Sequence, residues 1–359
     1  MSQLARLLRP VKPRFCGIQD GDHMWEALRE DVWEDNGVKT TYLLCRDWRQ
    51  SQESRHCEEV AAPHLTGPYT ERRFANAASN KVSRRLDELK GSCKGRPAYV
   101  MLSGPSLIRN LLESPPPPGA VVIAVNRAFV FSPYPIDFFL CSDAVVDRPR
   151  LNDWDASWKP PEGFPNRPSL NDKLSTSNLL AMQWTDAKLV DRFREGTDRA
   201  VFFRKSGLAK DNLIGGIDMT LPGLEVCYFS GTHTLNLADY LGCSRIEIVG
   251  GDFAFTGDEF HPGDKRPESI KGSPYFYTKG IEYFGERAGK PIDEAVSDTP
   301  TEKLTLTDTH FYVAASKMET WAWLLRRYGV PCVNLTGAGL LNRWFQHRRD
   351  FPEDWRIAA

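Results

Sequence analysis

From residue 97 onward, short runs of apolar residues alternate along the chain with segments that have the apolar spacing of helices. This alternation is typical of β-α-β units, in which connecting helices bring consecutive strands into one parallel sheet. The predicted strands are residues 98–102, 121–125, 137–141, 201–203, 226–229, 245–249 and 330–334. The predicted helices are residues 107–112, 232–241 and 316–328. The pattern therefore predicts an α/β fold, with a Rossmann-like, mostly parallel sheet and helices on both faces.

The first 94 residues have a different pattern, rich in tryptophan, charge and turn residues. Their clearest element is a helix over residues 76–89, and we interpret residues 1–94 as an N-terminal accessory region. Residues 95–264 form the predicted core, and residues 265–359 are expected to complete the same site. Two stretches with few apolar runs are predicted to be irregular: residues 147–174, as a loop or lid, and residues 258–307, as a segment that orders on substrate binding.

Composition narrows the class of protein without identifying a function. The 359 residues include 46 Lys and Arg and 47 Asp and Glu, a formal net charge of -1, so no overall positive charge favours nucleic acid. No apolar run reaches the length of a membrane-spanning helix, and the N-terminus lacks the apolar core of a secretory signal. The eight cysteines include no CxxC pair, which is typical of buried thiols in a reducing compartment. We expect a soluble, cytoplasmic protein.

One N-terminal cluster contains residue types that bind metals. Cys45, His56, Cys57 and His64 lie close in sequence, but their spacing matches no zinc pattern. We therefore predict no metal site.

The first motif with possible chemistry is the turn formed by Ser103, Gly104, Pro105 and Ser106. It follows a predicted buried strand and opens a helix, where free backbone N–H groups and two hydroxyls favour an anion such as phosphate. It lacks the lysine of a Walker loop and the three glycines of a dinucleotide fingerprint. The alternative is an ordinary strand-to-helix turn in which Ser106 caps the helix.

Polar residues also follow the next two predicted strands. Asn126 comes after residues 121–125, and Ser142 and Asp143 come after residues 137–141. The carboxyl ends of parallel strands share one edge of the sheet, where ligands of open α/β sheets bind. Amide and carboxylate groups there suit a nucleobase and a ribose, although both are also common turn formers.

A second turn, with Gly231 and Thr232, precedes another predicted helix, and two such turns in one sheet suggest a diphosphate or a nucleoside phosphate. Asp252 follows the strand 245–249 and is a candidate base or Mg²⁺ ligand. His261, Asp308 and His310 are candidates for proton transfer, each with the alternative of a structural role. The tail at residues 343–349 mixes basic and aromatic residues, and a solvated terminal helix is the favoured interpretation.

In this order, the motifs resemble the family that contains archaeal 6-hydroxymethylpterin diphosphokinases and bacterial motility accessory factors. The resemblance spans residues 97–264, with two shorter C-terminal matches at residues 307–308 and 334–339. The matching segments are Ser103-Gly-Pro-Ser-Leu107, Ile123-Ala-Val-Asn126, Ser142-Asp143, Gly231-Thr232 and the run from Leu241 to Asp252.

The resemblance implies transfer of a nonulosonic acid, such as pseudaminic acid, from a CMP-activated donor. It extends to bacterial sialyltransferases, whose Ser-Gly turn and Gly-x-Asp-Phe string are similar to Ser230-Gly231 and the segment ending at Asp252-Phe253. Two positions depart from the sialyltransferase pattern: Ala254 stands where those enzymes have a tyrosine, and Ala315 where they have a histidine. Their earlier His-Tyr pair is similar to His310-Phe311.

Three hypotheses follow. In the first, the chain transfers a nucleotide-activated sugar, most simply a CMP-nonulosonate, to a glycan or protein acceptor, without a required cofactor. The turns at residues 103–106 and 231–232 would then bind the donor's phosphate. The nucleoside would be contacted by Asn126, Ser142 and Asp143. His261 or His310 would transfer the proton. The second is a diphosphokinase that uses ATP and Mg²⁺ on a pterin-like alcohol. The third is a non-catalytic nucleotide-binding or scaffolding protein.

Overall fold

The computed structural model describes residues 15–20, 23–35, 38–47, 52–59, 68–144, 146–205, 218, 220–224, 230–255, 259–261, 264–265, 275–282 and 301–347. The predicted strand at residues 226–229 lies outside this part of the chain. Within it, no helix is both long and apolar enough to cross a membrane.

The accessory region contains an antiparallel sheet in which consecutive strands are neighbours. Its strands are β1 (Phe15–Asp20), β2 (His23–Asp35), β3 (Val38–Asp47) and β4 (Gln52–Glu59). The register pairs Cys45 with His56, although the two residues lie eleven apart in sequence.

The predicted helix over residues 76–89 is only partly correct. Helix α1 (Pro68–Ser79) begins earlier and stops at Asn80, and a short 3₁₀ helix covers Leu86–Leu89. Asn80 donates its amide hydrogens to the carbonyls of Gln183 and Thr185, both at 2.7 Å. Residues 81–84 are not helical, and Arg85 is extended and pairs with a strand of the main sheet. Tertiary contacts thus override the local helical spacing.

The chain from residue 95 onward contains the remaining strands, and every strand and helix predicted between residues 97 and 141 has its counterpart. The strands are β5 (Pro97–Met101), β6 (Val121–Val125), β7 (Phe138–Cys141), β8 (Asn178–Met182), β9 (Ala200–Lys205), β10 (Gly223–Leu224), β11 (Arg245–Val249), β12 (Glu259–His261), β13 (Asp264–Lys265), β14 (Tyr275–Glu282), β15 (Thr301–Asp308), β16 (Cys332–Asn334) and β17 (Ala338–Gly339). The helices are α2 (Leu107–Glu113), α3 (Arg127–Phe131), α4 (Arg148–Ser157), α5 (Leu170–Thr176), α6 (Ala187–Arg194), α7 (His233–Tyr240) and α8 (Thr309–Arg327).

The main sheet has eight strands in the order β10-β9-β8-β7-β6-β5-β11-β16, and all of its neighbouring strands are parallel. Successive side chains of a strand point to opposite faces, so Tyr99 and Met101 enter one buried cluster and Val100 the other. Helices α2 to α6 cover the first face, and α7 and α8 cover the second. The predicted α/β fold is therefore confirmed.

The prediction of an irregular segment at residues 147–174 was only partly correct, because α4 and the start of α5 lie in this stretch and only residues 158–169 between them are irregular. Asp147 caps α4 by accepting a hydrogen bond from the Arg150 N–H at 3.0 Å. Ser169 and Asp172 form a reciprocal capping box at the start of α5. The Ser-x-x-Asp spacing was a readable signal for that helix.

The other stretch predicted as irregular, residues 258–307, contains strands β12 to β15. Strands β14 and β15 pair along their whole length, and β17 pairs with the far end of β14. The alternation of polar and apolar residues in β15 is the period of a strand and was a usable signal.

The expected solvated helix at the chain's tail is also absent from the described residues. Phe345, Gln346 and His347 are buried. Gln346 forms an isolated parallel bridge with Val333, and its N–H donates to the Cys332 carbonyl at 2.9 Å. The tail thus extends the edge of the main sheet beyond β16.

Candidate functional site

The chain order of the main sheet reverses at β5. Strands β6 to β10 follow one another on one side of β5, whereas β11 and then β16 lie on the other side. Ligands of open α/β sheets bind outside the carboxyl ends of the strands at such a switch point. The topology therefore places the candidate site where β5 and β11 end.

Ser106, after β5, and Asp252, after β11, meet at this switch point. The Ser106 hydroxyl donates to Oδ1 of Asp252 at 2.5 Å, and the Ser106 backbone N–H donates to Oδ2 at 3.2 Å. Asp252 is 1% exposed. The hydroxyl and backbone N–H of Ser106, which were expected to bind a ligand's phosphate, thus donate to a carboxylate of the chain itself. Phosphate binding by this turn stays a prediction.

Gly104 is the residue that lets this carboxylate approach the turn. A Cβ atom added to Gly104 would lie 2.2 Å from Oδ2 of Asp252 and 2.6 Å from the carbonyl oxygen of Gly250. The Gly104 N–H also donates to that carbonyl at 2.9 Å. Both contacts require that residue 104 has no side chain.

Burial raises the pKa of Asp252 to about 6. The two hydrogen bonds from Ser106 and the positive charge of Arg109 act in the opposite direction, because they favour the carboxylate. Burial outweighs them. The site therefore contains a carboxyl group that titrates close to neutral pH.

Removal of the Ser106 hydroxyl should destabilise the protein in a pH-dependent way. At pH 8 Asp252 is a carboxylate, and Ser106→Ala removes a charge-assisted hydrogen bond, at a cost of about 1.5–3 kcal/mol. At pH 4 the carboxyl is protonated, and we expect a loss of about 1 kcal/mol. Urea denaturation at both pH values measures the difference. Equal losses at pH 4 and pH 8 would contradict the assigned bond.

Ser103 links the same turn to the end of β6. Its hydroxyl donates to the Val125 carbonyl at 2.8 Å and accepts the Ala128 N–H at 3.2 Å. The ends of β5 and β6 and the start of α3 are therefore fixed relative to one another. Asn126 lies within this connection.

Two residues at this edge have strained backbones. Asn126 has φ 48° and ψ -119°, and Phe253 has φ 49°. Within the described part of the chain, they are the two non-glycine residues with positive φ. Such conformations cost about 1–3 kcal/mol each and cluster at functional sites. Asn126 follows β6, and Phe253 follows Asp252, so the strain is concentrated at the switch point.

The side chain of Asn126 adds a second cost at the same position. Its Oδ1 atom is buried and has no hydrogen-bond partner among the residues that the structure describes. An unsatisfied buried acceptor costs about 1–3 kcal/mol. Turn formation alone does not explain an asparagine at position 126, because its backbone is strained and its amide oxygen is unsatisfied. A glycine would form the same turn at lower cost.

The second predicted turn, which precedes α7, lies at the same edge of the sheet. Ser230, Gly231 and Thr232 form a buried 3₁₀ turn before α7. The hydroxyls of Ser230 and Ser142 are 2.6 Å apart. The structure thus brings Ser142, after β7, together with the 230–232 turn. Asp143 is the next residue after Ser142 and is partly buried.

The described backbone locates the three remaining candidates, whose side chains lie outside the described atoms. Asp308 ends β15 and His310 lies in the first turn of α8. Phe311, the next residue, packs against Phe253 and Phe255, with ring centroids 6.4 and 5.4 Å apart. The start of α8 therefore adjoins the segment that follows Asp252. His261 ends β12, a strand that pairs with β13.

Sequence reasoning missed two residues that support the loop leading to Asp252. Oδ1 of Asn110, in α2, accepts the Gly250 N–H at 2.9 Å, and Oγ1 of Thr336 accepts the Gly251 N–H at 2.8 Å. Asn110 also donates to the Thr336 carbonyl at 3.0 Å. A polar residue on the apolar face of α2 was the available signal for Asn110. Thr336 belongs to the C-terminal match at residues 334–339.

Among the described residues, no group of three His, Cys, Asp or Glu side chains has a geometry that could hold a metal ion. Asp252, the candidate Mg²⁺ ligand, is buried and both of its carboxylate oxygens accept hydrogen bonds from Ser106.

No family model matches the chain, and no curated protein matches it. Among solved structures, the chain is similar to the MAf glycosyltransferase from Magnetospirillum magneticum AMB-1, with a TM-score of 0.43 and 14% identity. The match covers 77% of this chain and 38% of that chain, so this chain spans well under half the length of that protein. Proteins this distant can differ in chemistry, so function depends on the site itself.

Proposed function

We propose that this chain is a glycosyltransferase that takes a sugar from a CMP-activated nonulosonate. The supporting observation is the concentration of backbone strain and an unsatisfied amide oxygen at Asn126, beside the switch point of a parallel sheet. This is the place where α/β proteins bind nucleotides. The resemblance of the motifs at this edge to nonulosonate-transferring families supports the choice of donor.

In this proposal, the polar groups along the edge bind the donor's nucleoside. An asparagine amide pairs with both donors and acceptors, as a cytosine ring or a ribose requires. Ser142 and Asp143 lie one strand further along, within reach of a second part of the same nucleoside, and the 230–232 turn lies at the Ser142 hydroxyl. The N–H groups at the start of α7 are the proposed phosphate contacts.

Asp252 acts as a positioning residue in this scheme. Its carboxylate is buried and holds the 103–106 turn through Ser106. Its carbonyl accepts the Leu340 N–H at 3.0 Å, which ties the C-terminal segment to the same site. Proton transfer with the acceptor hydroxyl or the leaving phosphate is assigned to His310 or His261. The start of α8 adjoins the site, which favours His310.

The strain at Asn126 gives a prediction in which stability and binding change in opposite directions. Asn126→Gly should raise the free energy of unfolding by about 1–2 kcal/mol, because glycine adopts positive φ without strain. The same substitution should weaken CMP binding at least tenfold, at about 1.4 kcal/mol per decade. Urea denaturation and calorimetry measure the two effects.

A matched control is Asn152→Gly, at an exposed position of α4. There glycine should lower stability by about 0.5–1 kcal/mol and leave CMP binding unchanged. If Asn126→Gly behaves like this control, Asn126 is neither strained nor a ligand-binding residue.

The proposed reaction is tested by following CMP release from CMP-N-acetylneuraminate and CMP-pseudaminate. We expect release without added metal, because the leaving group departs as a monophosphate. Release should persist in the presence of EDTA. If neither donor is cleaved and ATP yields AMP in the presence of Mg²⁺ and a pterin alcohol, the proposal is wrong and the diphosphokinase hypothesis is right.

A further inference from the structure

A groove of about 720 Å³ runs along one side of α8. The helix contributes Tyr312, Ser316, Glu319, Thr320 and Trp323, whose spacing places them on a single face. From Tyr312 to Trp323 the helix rises roughly 16 Å. The groove is therefore long enough to take an extended ligand.

The opposite wall is the segment around Asn342, Arg343 and Trp344. Glu319 fixes it by accepting the backbone N–H groups of all three residues, those of Arg343 and Trp344 at 3.1 and 2.8 Å. The ring centroids of Trp323 and Trp344, which both line the groove, lie 6.4 Å apart. The segment is thus held against α8, and the Glu319 carboxylate is already hydrogen-bonded within the protein.

The hydrogen-bonding groups in the groove favour a neutral, hydroxyl-rich ligand. The hydroxyls of Ser316 and Thr320 donate to carbonyls of α8, each at 2.9 Å, so their oxygens face a ligand as acceptors. Arg343 stacks on Trp344 at 5.0 Å, which fixes a guanidinium with N–H donors at the other wall. Tyr312 is 39% exposed and offers an aromatic face. Sugar rings have hydroxyl rims that donate and accept, and C–H faces that pack on aromatic rings.

The groove adjoins the segment that carries Asp252. Leu340 lines it, and the Leu340 N–H donates to the Asp252 carbonyl. At the other wall, Tyr312 directly follows Phe311, which packs on Phe253 and Phe255. A ligand in the groove would therefore lie beside residues that contact the Asp252–Phe253 segment.

We propose that this groove binds an oligosaccharide and is the acceptor subsite of the enzyme. The assignment as acceptor subsite rests on the proposed transferase function, whereas the binding of a carbohydrate rests on the groove's own chemistry. In the reaction, the acceptor hydroxyl oxygen would bond to the anomeric carbon as the bond from that carbon to the CMP phosphate breaks. The hydroxyl proton would go to the base, and CMP would leave.

The test is a printed array of defined bacterial and mammalian oligosaccharides, followed by fluorescence titration of the best ligand. The wild-type protein is compared with Tyr312→Ala and Thr320→Val in the groove. The control is Tyr328→Ala, an 82% exposed tyrosine just beyond α8 that does not line the groove. We expect both groove variants to weaken glycan binding at least tenfold and the control to bind as wild type.

Calorimetry with CMP on the same four proteins separates the two proposals. Unchanged CMP binding with glycan binding lost in the groove variants supports the acceptor subsite. Absence of CMP binding from all four proteins contradicts the transferase function, yet loss of glycan binding in the groove variants would still support the carbohydrate groove. The groove proposal is overturned if no glycan binds, if the groove variants bind like the control, or if the protein instead binds an unglycosylated peptide array at this surface.

Discussion

Replacing Gly339 with alanine is expected to destabilise the protein by more than about 4 kcal/mol, enough to unfold a marginally stable domain. Gly339 has φ 96°, a conformation that side chains rarely adopt. An added Cβ would also lie only 2.0 Å from the carbonyl oxygen of Asp252. Because that neighbour is backbone, relief requires the Asp252 segment and β17 to separate.

Gly329→Ala is the matched control for this prediction. Gly329 also has positive φ, 80°, but within the described part of the chain an added Cβ would meet no atom within 4 Å. Its substitution should cost about 1 kcal/mol, from backbone strain alone. Urea denaturation of both variants isolates the clash as their difference. Similar losses would show that the C-terminal segment does not press against the Asp252 backbone as described.

Replacing Asp252 with asparagine is expected to stabilise the protein at neutral and alkaline pH. The pKa of Asp252 is raised from 3.8 to about 6 in the folded state, mainly by burial. Well below pH 3.8 the carboxyl is protonated in both folded and unfolded chains, so the buried group carries no charge and imposes no electrostatic penalty on stability. As the pH rises through 6, the folded chain must hold a buried carboxylate, which costs about 3 kcal/mol.

Asparagine keeps the shape of the side chain and removes the charge. We therefore expect Asp252→Asn to raise the free energy of unfolding by about 2–3 kcal/mol at pH 8, with little change at pH 4. An exposed carboxylate in α4 provides the control, since Asp153→Asn should change stability by less than about 0.5 kcal/mol at either pH. A fall in stability at pH 8 would mean that the bonds to Ser106 outweigh burial. Stabilisation would mean that the protein keeps this carboxylate at a stability cost, as functional sites often do.

The parallel sheet was predictable because its strands are buried on both faces and form continuous apolar runs. Residues 121–125 and 245–249 match β6 and β11 as predicted. The same argument predicted that Asn126, Ser142 and Asp252 lie at one edge of the sheet, since each follows a predicted strand. Parallel topology is enough to bring such residues to one edge without knowledge of the strand order.

The bond between Ser106 and Asp252 was not predictable from the sequence. The two residues lie 146 positions apart, and they meet because β11 returns to the side of β5 after five intervening strands. That strand order is a tertiary property. The end of α1 was missed for a similar reason, because Asn80 bonds carbonyls more than 100 residues away.

The proposed transferase function depends most directly on metal-independent binding of CMP at the switch-point edge. Calorimetric titration with CMP, UDP, ADP and ATP, each with and without Mg²⁺, measures it. We predict that CMP binds without Mg²⁺ and more tightly than the other nucleotides. Binding of ATP that requires Mg²⁺, or no binding by any of the four nucleotides, would contradict the proposed function.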